Sequence, residues 1–128
     1  MSYYFSKTVN QGFDEAIENV TAALQEKGFG ILTEIDVTET LKKKLDVDFY
    51  KYRILGACNP QFAYEALQIE NKIGTMLPCN VIVQEFEDGK VDVTAIDPMA
   101  SMQAVENSKL GEIVEEVRDL LKSIIANL

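Results

Sequence analysis

The sequence predicts an α+β domain with a mainly antiparallel sheet and helices on one of its faces. Three observations predict it. Asp88-Gly89, between "MLPCNVIVQEF" and "KVDVTAI", is a tight hairpin signal that leaves no room for a helix between two strands. Leu110, Ile113, Val114, Val117, Leu120, Leu121, Ile124, Ile125 and Leu128 recur at steps of three and four, the mark of a long amphipathic helix. Phe13, Ala16, Ile17, Val20, Ala23 and Leu24 repeat that spacing near the start of the chain.

Taken in order, "YYFSKTV" (Tyr3 to Val9) is aromatic and β-branched and reads as a strand. The first helix follows, with Asn10 as its expected N-cap and Gly28 where a glycine ends a helix. "FGILTEIDV" (Phe29 to Val37) is a second strand, and "TETLKKKLDV" one or two helical turns. In "FYKYRILGAC" (Phe49 to Cys58), Phe49, Lys51 and Arg53 alternate with Tyr50, Tyr52 and Ile54, the period of a half-buried strand. Asn59 then suits an N-cap and Pro60 the first helical position. This helix presents Phe62, Ala63, Ala66, Leu67 and Ile73, and Gly74 ends it. Met76 to Phe86 and Lys90 to Ile96 form the hairpin, which Asp97-Pro98 stops. "MASMQAVEN" is a short helix or ordered loop, and Ser108 is the expected cap of the last helix. The order is β-α-β-(short α)-β-α-β-β-α in a single domain, residues 1–128.

Composition narrows the function. The net charge of −9 opposes binding to nucleic-acid phosphates or anionic membranes. No apolar run reaches the ~20 residues of a membrane span, and no basic-then-apolar leader opens the chain, so a cytoplasmic location is expected. Histidine is absent, which excludes Ser-His-Asp and Cys-His catalysis and histidine metal sites. Nucleotide fingerprints are absent too: "GFG" at Gly28 to Gly30 lies between helix and strand, the wrong order for a dinucleotide loop.

The chain has two cysteines, and each precedes an asparagine with a proline beside the pair: "ACNP" at Cys58-Asn59 and "LPCN" at Cys79-Asn80. A helix N-terminus beside Cys58 is an environment that can lower a thiol pKa. Four readings stay open for the thiols: packing alone, a redox pair, two soft metal ligands, or a nucleophile or sulfur carrier. Two thiolates fall short of the four ligands of a zinc site, so no metal site is assigned. The asparagines read first as an N-cap and a turn residue, with a ligand-binding role as the alternative. Tyr50, Tyr52 and Tyr64, Lys42 to Lys44, the acidic residues of the last helix, and Met99 with Met102 all read as packing or solvated surface.

"YKYRILGACNPQFAYEAL", "IGTMLPCNVIV" and "VDVTAIDPMASM" together resemble the domain of unknown function 302 family, as does the opening "FDEAIENVTAALQEKGFGILTEID". The resemblance spans essentially the whole chain. It implies an α+β fold of the TATA-binding-protein-like grouping, a homodimer, and a basic residue in the strand before "ACNP", Lys51 or Arg53. It supplies no activity and no cofactor. The expectation is a cytoplasmic homodimer that binds a small, anionic or polar ligand, or serves as an accessory protein, with Cys58, Asn59, Cys79 and Asn80 at the site. The alternative is a thiol-dependent redox or sulfur-transfer protein using Cys58 or Cys79.

Overall fold

The computed structural model describes residues 2–128. Its strands are β1 (Tyr4–Val9), β2 (Gly30–Asp36), β3 (Lys51–Cys58), β4 (Cys79–Glu85) and β5 (Val91–Ile96). The helices are α1 (Phe13–Glu26), α2 (Val37–Leu45), α3 (Pro60–Ile69), α4 (Pro98–Ser101) and α5 (Gly111–Ala126). The strands form one sheet in the order β1-β5-β4-β3-β2, and every neighbouring pair is antiparallel.

Alternation in β4 and β5 divides the sheet into two unlike faces. Val81, Val83, Val91, Val93 and Ala95 are all nearly inaccessible and point to the side covered by α1 and α5. Phe13, Ala16, Val20 and Leu24 of α1 and Val117, Leu121, Ile124 and Ile125 of α5 complete this core. Each fully buried valine or leucine stabilises the fold by about 1.5–3 kcal/mol in transfer terms. A smaller cluster of Ala66, Ile73 and Leu110 lies beside it, where α3 packs on α5.

Several boundaries differ from the sequence expectation, each for a local reason. Gly12 rather than Asn10 is the residue before α1, and it makes no side-chain cap. Gly28 does end that helix region in a left-handed conformation, at φ +87°. The helix α2 runs nine residues, longer than expected, because Asp36 caps it through Glu39 N–H and the Thr38 hydroxyl ties it to β3 through Tyr50 and Tyr52. α3 stops at Ile69, and Ile73 belongs to a separate 3-10 turn, Ile73–Met76. Ser108 opens another 3-10 turn, capped by Asn107, so it is not the cap of α5.

Gly56 shows why one strand position must lack a side chain. A Cβ there would come within 2.7 Å of Pro78 Cγ and would collide with Thr33 Oγ1. The register shift between Ile31 and Thr33 in β2 brings Thr33 opposite Gly56.

An ion pair with a buried carboxylate locks the end of β5 to α5. Asp97 accepts from Met99 N–H at the start of α4 (3.0 Å) and from Arg118 Nε (3.2 Å), whose guanidinium lies 5.4 Å from the Phe5 ring. Asp97→Ala leaves Arg118 only the longer contact to Asp119 (3.8 Å) and removes the cap. It is expected to lower the unfolding free energy in urea by about 2–4 kcal/mol, whereas Asp119→Ala at an exposed position changes it by about 0.5 kcal/mol or less.

Candidate functional site

The β3–β4 register brings the two Cys-Asn elements together. Ala57 pairs with Cys79 and Gly56 with Asn80, so Cys58 and Cys79 are on adjacent strands at the same end of the sheet. β4 is flanked by β5 and β3, so Cys79 lies at the end of an interior strand, not near a sheet edge as its place after Pro78 suggests. Asn59 performs the expected cap: its Oδ1 accepts from Phe62 N–H at 3.4 Å, with Pro60 at the first helical position. The N-terminus of α3 is thus partly satisfied by its own chain.

Three of the four expected site residues share a cavity. Cys58, Asn59 and Cys79 line a hollow of about 40 Å³ between α3, α5 and the sheet, together with Phe29, Phe62, Ala66, Leu77, Met102 and Val117 among others. Its accessible wall is wholly apolar. Asn80 is not part of it: one residue along from Cys79, it points to the opposite face of the sheet and is exposed.

Both thiols are free, and their surroundings hold them protonated. Burial pushes the Cys79 thiol up to about 11, and the neighbouring Cys58 adds to the shift. Burial also pushes Cys58 up. The lowering that a helix N-terminus can give Cys58 does not prevail over this loss of water. Among the described residues, no three His, Cys, Asp or Glu side chains cluster as metal ligands, and no helix is long and apolar enough to cross a membrane.

The basic residues before "ACNP" lie toward the other end of β3. Arg53 bridges Glu34 (2.5 Å) and Asp36 (3.4 Å) across to β2, and its guanidinium lies 5.6 Å from the Phe13 ring. Its Nε is buried without a hydrogen-bond partner. Tyr50 and Tyr52 pack with Phe49 and Phe86, as the packing reading expects, and burial pushes the Tyr52 hydroxyl up, helped by Tyr50 and Tyr3. Tyr64 is exposed.

Sequence reasoning missed a second hollow, on the sheet face away from the helices. About 560 Å³ in volume, it is bounded by residues of all the strands except β2, among them Tyr4, Tyr52, Ile54, Asn80, Ile82 and Ile96. The available signal was the out-facing half of the alternation: isoleucines and tyrosines stand where a solvated face usually carries charge.

A one-sided antiparallel sheet with α1 and α5 on its inner face, and two Cys-Asn junctions on neighbouring strands, defines a small α+β protein. The chain belongs to the DUF302 family, a domain of unknown function whose model matches residues 5–128. It is similar to the crystal structure of an uncharacterized conserved DUF302 protein from Bacillus stearothermophilus, with a TM-score of 0.90 and 28% identity over 98% of each chain. No curated protein matches it.

The raised thiol pKa makes stability depend on pH in the alkaline range. Between the unfolded thiol pKa, about 8.5, and the folded value near 11, the unfolded chain loses a proton that folded Cys79 keeps. Stability is therefore full below about pH 8.5 and falls as pH rises toward 11, by on the order of 2–3 kcal/mol. Urea titrations at pH 7.5 and 10.5 should show this fall in the wild type and a smaller one in Cys79→Ala.

Proposed function

We propose that this chain is a cytoplasmic, homodimeric small-ligand-binding or accessory protein, and that its ligand is a small apolar molecule held in the cavity between Cys58 and Cys79. The observation that carries the reading is the wholly apolar wall of the cavity bordered by Cys58, Asn59 and Cys79. An anionic ligand is less well supported, because Asn59 already caps α3 and no basic side chain lines the cavity. Apolar cavities stay dry and accept apolar guests, whose transfer from water is favourable. At about 40 Å³ the cavity admits a guest of a few atoms, and a ring such as benzene needs roughly 150 Å³. A larger ligand enters by displacing flexible Met102, which borders the cavity beside α4.

The thiol-dependent alternative calls for an accessible sulfur held below its ordinary pKa. Burial shifts both sulfurs upward, so the binding reading has the better physical support.

Xenon and benzene are suitable probes. In wild-type protein, xenon should shift the NMR signals of residues lining the cavity, and benzene should raise the melting temperature, since a ligand at 100 times its Kd stabilises by about 2.7 kcal/mol. Ala66→Val, which fills the cavity, should abolish both effects while the protein stays folded. If neither probe perturbs the wild type, the cavity is only a packing void and the reading fails.

A further inference from the structure

We propose that a second copy of this chain docks on the sheet face that the helices leave open, sheet against sheet. The proposal rests on the homodimer reading and names the surface that forms it. Reading the register across all five strands gives the row Ser6, Thr94, Ile82, Ile54, Ile35 through the middle of this face. Tyr4 and Ile96 lie in the row on one side of it, and Tyr52 and Gln84 in the row on the other. Tyr3, Tyr4 and Ile35 are 64%, 43% and 48% exposed, high values for large apolar side chains.

Three properties favour a second copy as the occupant. The first is charge. Two molecules of net charge −9 repel unless they meet through a neutral surface. Of the residues bounding this hollow, Asp92 alone is charged, and it accepts a hydrogen bond from the Thr8 hydroxyl at 2.6 Å. The second is the state of the polar groups. Ser6 and Thr94 hydroxyls bond each other at 2.7 Å, and Gln84 Nε2 donates to the Tyr50 hydroxyl at 3.1 Å. Ser6, Thr94, Asp92 and Gln84 thus already have partners within the molecule, while Asn80 and the tyrosine hydroxyls at the margin are left to pair across the contact. The third is area. Five strands and three rows of side chains span about 24 by 20 Å, roughly 480 Å² in flat projection; the relief of the side chains and the flanking Tyr3 and Phe86 extend it toward the roughly 800 Å² per partner of a stable interface. A tenth of the molecule's 7896 Å² surface is the share that such an interface usually takes.

Two twisted sheets packed in this way, about 10 Å apart, form a sandwich with the helices outside. A two-fold axis through the face would make the contact self-complementary, so each substitution on it acts twice.

Light scattering decides the matter. Wild-type protein at micromolar concentration should have twice the 14.3 kDa chain mass. Ile82→Glu and Ile54→Glu should keep the circular dichroism of the wild type and raise the dimer dissociation constant by at least about 100-fold. Tyr64→Glu, on exposed α3, should leave the dimer intact. Hydroxyl-radical footprinting of the unaltered protein should show Tyr3 and Tyr4 protected on raising the concentration, with Tyr64 unchanged; this readout does not depend on a variant folding. A dimer that survives in folded Ile82→Glu, with Tyr3 and Tyr4 unprotected, overturns this face and spares the homodimer reading. A wild-type monomer overturns both and leaves the face to a different protein. Xenon binding in the cavity is independent of either result.

Discussion

Period-two alternation along two adjacent interior strands, β4 and β5, is the constraint on which the other features depend. Once Val81, Val83, Val91, Val93 and Ala95 are committed to the helices, Ile82, Gln84, Asp92 and Thr94 must face the other way. A slip of one residue in either strand would exchange the two sets and empty the core. The same rule puts Cys79 inward and Asn80 outward, and sends Arg53 toward the Phe13 ring of α1. Site, core and open face are three outcomes of one register.

The doubled Cys-Asn pattern is two solutions to two local problems. At Cys58-Asn59 the chain leaves a strand and enters a helix, and the asparagine supplies the cap. At Cys79-Asn80 the chain enters an interior strand, where the alternation buries the cysteine and exposes the asparagine. Cysteine suits both places because it is small and mildly apolar, and both cysteines border one cavity although Cys79 pairs across the strands with Ala57. Their shared environment raises both thiol pKa values, the opposite of what a nucleophile needs.

Much of the fold was legible because it was written in local periodicity. The steps of three and four in Gly111–Ala126, the turn at Asp88-Gly89 and the Asn59-Pro60 helix start all correspond to observed elements. Ends were less legible, since Ser108 and Asn10 are good caps in isolation, while tertiary packing places the helix starts elsewhere. The site was partly legible: similar motifs pointed to Cys58, Asn59 and Cys79. Periodicity could also have separated Asn80 from Cys79, but only once the strand's register was known. The open face was the least legible feature. Its residues are dispersed over five strands and become a patch only when the strand order is known. The partners of Arg53 and Asp97 were hidden for the same reason, since Glu34 and Arg118 lie 19 and 21 residues away in sequence.

The strand order also sets a timetable for synthesis. β1 is made first, yet its only neighbour in the sheet is β5, and Thr8 and Asp92, which bond each other, lie 84 residues apart. Lys7 of the same strand donates to the carbonyls of Ala126 and Leu128, at the far end of the chain. As the chain leaves a ribosome, β2, β3, β4 and β5 can pair in sequence, each with the strand just completed. β1 must wait, an unpaired aromatic and β-branched segment, until nearly the whole protein has emerged. For that interval the newborn chain carries an exposed strand and an unfilled place at the edge of its sheet, the period when it most needs protection from its neighbours.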